Sequence, residues 1–398
     1  MRRLTLNYLR TESGSGLILV GAAVLAIVAA NSQYGDAYFA LVATPIPVRI
    51  GGFVETLSLA GWVTGGLMAI FFLVLGMELK FELLRGELSN PRRLALPALA
   101  ALGGAVAPAL IYLGLNQAPG GMTHGWPIAS ATDVAFALAV LALAGPRLPH
   151  SLRVLLMSVA IADDLAVVSL TAVLDAGRIH WPMLAGALAV LALLAMLSRW
   201  RRAPFVFYAA GFVMVWAFVL KSGLNTSLAG VACAFAVPIG TRRPGQESLL
   251  KYFMDSLHPY VAFAVLPLFA FTAAGFSLGD ISPAQLVAPV PIAIVLALWL
   301  GKPLGVFGLS ILTMTLKIAR RPTGALWVEI LGVAMLCGVG LTVSLFLSGV
   351  TLGGGPAQGQ AAVRLAIVAG SALSALSGAA LLAWAQARRV ELGEEDLG

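Results

Sequence analysis

Three carboxylates stand inside apolar stretches of this chain, and their setting limits what they can do. Asp133 lies in ASATDVAFALAVLALAG, and Asp163 and Asp164 follow in LMSVAIADDLAVVSL. The second stretch has no other charge between Arg153 and Asp175. Its 21 residues would make a helix of about 31 Å, matching a bilayer hydrocarbon core, with Asp163 and Asp164 at the middle. One charge at that depth costs roughly 2.5–3.5 kcal/mol on insertion scales, so two adjacent aspartates must face protein or a water-filled cavity. Apolar surroundings disfavour the charged form of a carboxylate, and a like charge beside it adds to the effect. Protons and a small hard cation that prefers oxygen ligands therefore compete for such a pair. Competition at one site, opened to each side in turn, is ion exchange.

Neighbouring residues on a helix point about 100° apart, so Asp163 and Asp164 cannot close into one dyad. One can line a cavity while the other turns to an adjacent helix, and Lys302 in LWLGKPLGVFG is the natural partner. Lys302 is too deep in its apolar run to reach the headgroups, so it needs a carboxylate or must stand as a neutral amine. Two apolar runs are broken near mid-length, one at Ser130–Val134 and the other at Cys337–Thr342. The ends of such half-helices carry opposed partial charges of roughly half an elementary unit. Asp133 suits two N-terminal ends and Lys302 two C-terminal ends, and direct ligation of a cation is the other reading of Asp133. Thr132 offers a hydroxyl or carbonyl oxygen to a cation, or simply ends a half-helix.

The elements that would position these residues are helices. The chain has 398 residues, 60% hydrophobic and 11% charged, against about a quarter charged in soluble domains, which implies an all-α polytopic membrane protein. The apolar stretches are continuous rather than alternating, which excludes a transmembrane barrel. Twelve spans are expected, at 14–31, 60–79, 95–115, 126–144, 153–174, 181–198, 204–220, 223–240, 257–276, 287–311, 325–350 and 361–386. Threading them from a cytoplasmic N-terminus puts twenty of the 25 basic residues inside and only Arg49, Arg178, Lys221 and Arg364 outside. Both termini are then cytoplasmic. The net charge of +7 serves topology, so neither nucleic-acid binding nor a membrane-surface role is needed to explain it. The basic start MRRLTLNYLR leads into a retained first span, with no small-residue cleavage site.

Spans 3–5 and 10–12 each hold a broken middle helix, with Asp163 and Asp164 on span 5 and Lys302 on span 10. Three-helix units of this kind insert in opposite senses, giving inverted repeats whose discontinuous helices cross at the midplane, the usual place of a transport site. The implied division is 1–93 (spans 1–2 with the first outer loop), 94–175 (first core repeat), 176–276 (linking helices), 277–390 (second core repeat) and 391–398 (tail). In the first outer loop, VRIGGFVETLSL alternates around Gly51-Gly52 and predicts a short β-hairpin, either a plain surface loop or a strand pair that meets a second copy in a dimer. Cys233 and Cys337 lie in apolar runs and read as packing, not as a disulfide or zinc site. Glu78, Lys80 and Glu82 end span 2, as a solvated helix end or a gating and pH-sensing group. His258 reads as the start of span 9.

Two other activities use similar parts. Intramembrane aspartyl proteases place one aspartate on each of two facing helices, usually in Y-D and G-x-G-D, and this chain has no G-x-G-D. A sodium-coupled solute symporter would need polar and aromatic groups for its solute, whereas the residues here are carboxylate, lysine and threonine. An ion-only transporter, not an enzyme, fits best.

The chain resembles the NhaA family of sodium/proton antiporters in LMAIFFLVLGMELKFELLRGEL, ATDVAFALAVLALAG, LMSVAIADDLAVV, LKSGLNTSLAGV, LHPYVAFAVLPLFAFTAAG, GKPLGV and AMLCGVGLTVSLF. The resemblance implies exchange of Na+ or Li+ for H+, no cofactor, a bacterial inner-membrane location and a homodimer built through the first-loop hairpin. It implies Asp164 as the main sodium ligand, helped by Asp163 and Thr132. It also implies Asp133 as the balancing charge at the helix crossing, and Lys302 as the partner of Asp163 and the mark of electrogenic exchange. The departures are Thr64-Gly65 for N-D, Phe81 for an arginine, Asn225 for a histidine, and Met254 within the stretch that often reads L-E-H. Several of these positions belong to an ionisable cytoplasmic cluster linked to pH sensing. Thinned charge there predicts retained exchange with a shifted or shallower pH dependence. A rate-against-pH profile that overlays that of a family member with the full cluster would contradict this.

Overall fold

Stretches this apolar leave the backbone no hydrogen-bonding partner except itself, so they fold as helices. A computed structural model describes residues 2–50, 53–174, 179–199, 204–240, 248–352 and 357–391. The helices are α1 (Arg2–Ala30), α2 (Gly35–Ala43), α3 (Leu59–Arg85), α4 (Pro91–Leu115), α5 (Val134–Ala144), α6 (His150–Leu174), α7 (Trp181–Arg199), α8 (Phe205–Ser222), α9 (Ser227–Ala236), α10 (Leu249–Ala274), α11 (Pro289–Thr315), α12 (Trp327–Leu336), α13 (Leu341–Thr351) and α14 (Ala357–Glu391). A short 3-10 turn, Thr123–Ala129, precedes α5. Among the described residues, eight helices are long and apolar enough to cross a membrane, and eleven if each bent pair counts as one span. Many large apolar side chains point outward, among them Leu25, Leu110, Leu143, Leu193, Met196 and Val206. An outside this apolar belongs in lipid. The chain is a multi-pass membrane protein.

Three stretches differ from the sequence expectation. The predicted span at 223–240 forms only the ten-residue α9, which starts after Asn225-Thr226 and ends before Val237-Pro238. The nine-residue α2 lies in the loop that follows α1, bent 116° from it, where the sequence predicts no separate helix. Helix α10 starts at Leu249 rather than at 257, so His258 is an interior residue. Its first turns are amphipathic, with Leu250 and Phe253 buried and Lys251 and Asp255 on the same segment, so a search for apolar runs passes over them. Ser248 caps this start, its hydroxyl accepting from the Lys251 N–H at 3.2 Å.

Prolines inside helices shape two elements. Pro267 and Pro303 each lack an N–H and crowd the preceding turn. Each follows a π-helical turn, Val261–Val265 and Ala297–Gly301, which absorbs the misfit without breaking the helix. The second of these turns ends immediately before Lys302. A third π turn, Val63–Leu67, contains Gly65 and Gly66.

The interior divides into two apolar cores. The smaller takes Leu96 and Ala100 of α4, Ala137 and Leu141 of α5, Leu152 and Leu156 of α6, Val306 of α11 and Ile330 and Val333 of α12. The larger takes Tyr112 of α4, Ala129 and Ala131 ahead of α5, Ile161 and Leu165 of α6, Ile294 and Leu298 of α11, and Val343 and Phe346 of α13, together with α1, α3, α9 and α10. Along α4, α6 and α11, and along the bent pairs Thr123–Ala129 with α5 and α12 with α13, the chain passes from one core to the other. Asp133, Asp163 with Asp164, Lys302 and Cys337–Gly340 fall at those passages.

Glycine permits the tightest crossing. Gly103 of α4 and Gly305 of α11 face each other so closely that a Cβ on either would collide with the other's carbonyl. At the far end of α14, Arg389 forms a buried ion pair with Glu329 at the start of α12 and also donates to the Gly324 carbonyl. The predicted hairpin is present, with β1 (Pro45–Ile50) antiparallel to β2 (Phe53–Ser58) and Ile50 opposite Phe53. Gly51-Gly52, the predicted turn, lies outside the described residues. Trp62 Nε1 donates to the Ile46 carbonyl at 2.8 Å, and Lys221 of α8 pairs with Glu55 and donates to the Val54 carbonyl at 2.7 Å, so the hairpin is tied down at both strands. Gly305→Ala should force α4 and α11 apart at a cost of roughly 1–3 kcal/mol. A thermal melt of the purified protein that matches the parent would contradict this account of the crossing.

Candidate ion-binding site

Two bent helix pairs meet at their bends. The pair Thr123–Ala129 and α5 bends by 41°, and the pair α12 and α13 by 42°. Each break frees N–H and C=O groups that lipid cannot satisfy. The Asp133 N–H donates to the Val339 carbonyl at 2.6 Å, and the Thr132 hydroxyl donates to the Cys337 carbonyl at 2.9 Å. Ser371 and Ser374 of α14 take part as well. The Ser371 hydroxyl accepts from the Gly340 N–H at 3.1 Å, and that of Ser374 donates at 3.2 Å to the Leu298 carbonyl, within the π turn before Lys302.

Asp133 binds the first turns of two helices at once. Its Oδ1 accepts from the Phe136 N–H of α5 at 3.1 Å. Its Oδ2 accepts from both the N–H and the hydroxyl of Thr342 in α13, at 3.1 and 2.7 Å. Both are helix N-termini, where an acceptor satisfies a free donor and a negative charge complements the dipole. Asp133 thus accepts from donors in the first turns of both helices. Thr342 has the matching part, and its place in the second broken motif was the sequence signal for it.

Asp163, Asp164, Thr132 and Lys302 are fully buried and form one cluster. Lys302 makes an ion pair with Asp163 and donates to the Thr132 hydroxyl. That hydroxyl lies 3.3 Å from Asp163 Oδ2, while the Thr132 backbone N–H donates to Asp164 Oδ1 at 2.9 Å. Thr132 therefore touches both aspartates from one residue of the break. Lys302 reaches the C-terminal end of α12 only through Thr132, because the hydroxyl that it contacts donates to the Cys337 carbonyl. Asp163 Oδ1 and Asp164 Oδ2 are buried and have no hydrogen-bond partner among the described residues. Two free carboxylate oxygens beside a hydroxyl and backbone carbonyls make a hard-oxygen donor set. Sequence reasoning missed Gly104, where a Cβ would stand 3.1 Å from Asp163 Oδ2, and the carbonyl role of Cys337, whose side chain is simply buried. Neither carries a polar side chain to signal it.

The family model described as Na+/H+ antiporter 1 matches residues 6–382. The chain belongs to this antiporter family. It is 42% identical over 385 residues to the Na(+)/H(+) antiporter NhaA of Pseudomonas putida strain GB-1, covering 97% of this chain and 98% of that one. It is 43% identical over 373 residues to the Na(+)/H(+) antiporter NhaA of Aeromonas salmonicida, covering 94% and 93%. With the Na(+)/H(+) antiporter NhaA 1 of Syntrophotalea carbinolica the identity is 41% over 383 residues, 96% of each chain.

The positions where this antiporter departs from the expected family pattern do not form one cluster. Gly65 and Phe81 are sixteen residues apart on α3, about 24 Å along the helix. Gly65 and Asn225 instead line one cavity of about 400 Å3 at the hairpin end of the bundle, with Thr64, Thr171 and Thr226. The Gly65 carbonyl accepts from Trp216 Nε1 at 2.6 Å, and Asn225 Oδ1 accepts from the Ser227 N–H at 3.0 Å at the start of α9. Phe81 and Met254 pack half-buried against the larger core. Of the three residues expected in a gating or pH-sensing group, Lys80 donates to the Phe235 and Val237 carbonyls at 2.6 Å each, so it closes the end of α9. Glu78 and Glu82 are half-buried on the same turn-by-turn face region of α3.

Losing one helix cap typically costs about 1 kcal/mol and up to about 2. Asp133→Ala removes two, so it should lower stability by roughly 2–4 kcal/mol, whereas Thr342→Val, which leaves the backbone donor in place, should cost about 1 kcal/mol. Melting temperatures of the two variants that fall together would contradict the double-cap reading.

Proposed function

We propose that this chain exchanges Na+ or Li+ for H+ through competition of cation and protons for Asp164 and Asp163. The observation that carries the reading is the pair of partnerless buried oxygens, Asp163 Oδ1 and Asp164 Oδ2, on residues that both contact Thr132. In this reading Asp164 is the main ligand, helped by Asp163 and Thr132. Lys302 holds Asp163 while the cation is away and yields it when the cation binds, which makes the exchange electrogenic. Asp133 stays with the two helix N-termini as a fixed balancing charge. The transported ions are the cargo, and no resident cofactor is proposed.

The wider arrangement follows from the same reading. Counting α9 as a short span alongside the eleven gives twelve, with both termini cytoplasmic under the Lys/Arg bias. Residues 94–175 and 277–390 form inverted core repeats whose discontinuous helices cross at the midplane. Spans 1–2 with the hairpin (1–93) and the linking helices (176–276) form an interface domain; of the expected cytoplasmic tail at 391–398, residues 392–398 lie outside the described residues. The core moving against that domain would expose the site to each side in turn. The hairpin edges provide main-chain groups for a second copy, giving a homodimer in the bacterial inner membrane. Glu78, Lys80 and Glu82 end α3 on the cytoplasmic side of this topology, where they would act in gating or pH sensing.

The test is proton movement in proteoliposomes with an acid interior. Adding Na+ or Li+ outside should drive proton efflux, adding K+ should not, and Asp164→Asn should abolish the response. Cation-driven efflux that survives Asp164→Asn would move the site elsewhere, and no efflux with any cation at any pH would overturn the exchange itself.

A further inference from the structure

Away from the aspartates, a cavity of about 890 Å3 opens at the face where α4 and α6 begin and α11 ends. Lys317, Arg320, Arg321 and His150 line it, and no carboxylate is among its described lining residues. Lys317, Arg320 and Arg321 form no ion pair among the described residues, and the Arg321 guanidinium lies 5.9 Å from the Trp327 ring centre. Two long helices also start at this cavity. Asn90, directly ahead of α4, and His150 and Ser151, the first residues of α6, are on its wall. Helix N-termini present unsatisfied N–H groups and a positive dipole end, so they add to the side-chain charge.

Lys317 carries a further mark. It is the second residue past the end of α11, at φ 58, and is the one described non-glycine residue with positive φ. The Lys317 N–H donates to the Met314 carbonyl at 3.1 Å and that of Ile318 to the Thr313 carbonyl at 3.0 Å, the closing pattern that glycine usually serves. A lysine thus lines the cavity in a backbone conformation that favours glycine. Leu316 and Ile318 on either side of it are exposed apolar residues.

We infer that this cavity binds a phosphate-bearing anion through Lys317, Arg320 and Arg321. Arginine matches phosphate with paired N–H donors, and lysine adds a point charge. Basic pockets between membrane helices suit anionic lipid headgroups, and Leu316 and Ile318 offer an apolar border for an acyl chain. Free phosphate shares the same chemistry, and the measurement separates the two sources.

Binding is measured on the purified full-length protein with short-chain phosphatidylglycerol, the matching phosphatidylcholine and inorganic phosphate as separate probes. Phosphatidylglycerol should bind, phosphatidylcholine should not, and Lys317→Gly combined with Arg320→Gln should weaken binding about tenfold or more. Lys317→Gly relaxes the strained residue, so an unchanged melting temperature would show that the loss is not unfolding. Arg85→Gln, a charge change outside the cavity, should leave binding as it was. Inorganic phosphate that binds alone and displaces the lipid in the parent but not in the double variant would assign the site to free phosphate. Equal binding in parent and double variant, an equal loss from Arg85→Gln, equal binding of both lipids, or no binding by any probe would each overturn the inference. The readout needs no ion exchange, so failure of sodium-driven proton flux would not bear on it.

Discussion

The carboxylate of Asp133 accepts from three donors on two helices, and the rest of the site is built around that sharing. A helix broken inside a membrane exposes backbone groups that cost several kcal/mol each if left alone. Neither break in this chain could be stable by itself. Together they exchange partners: the Asp133 N–H takes the Val339 carbonyl, the Thr132 hydroxyl takes the Cys337 carbonyl, and Asp133 closes both α5 and α13. Serines on α14 complete the set. The irregular backbone that an ion needs for ligands is thus held by its own hydrogen-bonding demand.

That demand also explains the division of the interior. Apolar packing is non-directional and tolerates no unpaired polar group, so the polar cluster cannot sit within a core and sits at the passage between two. Gly103 and Gly305 bring α4 and α11 into near backbone contact, which leaves Lys302 of α11 within reach of Asp163 on α6. The π turn Ala297–Gly301 lets α11 carry Pro303 next to that lysine without a kink that would swing it away. Small residues and a widened turn, neither of them polar, set the position of the charge.

The charged side of this arrangement was legible in the chain. Carboxylates, a lysine and two glycine- or threonine-bearing interruptions are anomalies against an apolar background, and their pairing follows from the expense of leaving any of them alone. The hairpin was legible from alternation around two glycines. Helix α2 and the short α9 were not, because hydropathy reports apolar length and says little about where a chain turns. The start of α10 was hidden by its polar face. The contributions of Gly104 and of the Cys337 carbonyl could not be read, since both act through backbone or through the lack of a side chain. Gly65 and Asn225 are distant in sequence, and only the fold brings them to one cavity.

Charge counting gives the site its direction of behaviour. Lys302 and Asp163 neutralise each other in a dry setting, and Asp133 is matched by two helix N-termini. Among the described residues, Asp164, when ionised, has the Thr132 N–H as its hydrogen-bond donor and a more distant share of the lysine's field. An uncompensated charge is expensive in a low-dielectric interior, so a core carrying ionised Asp164 with nothing bound is the state least able to cross. In the proposed exchange a proton would remove the charge or a monovalent cation would balance it, and either would allow passage. A cation that also takes Asp163 in that exchange would leave Lys302 without its ion-pair partner. The proposed coupling of cation to proton would then need no separate latch, because the same buried oxygens would be costly to leave bare on either side of the membrane.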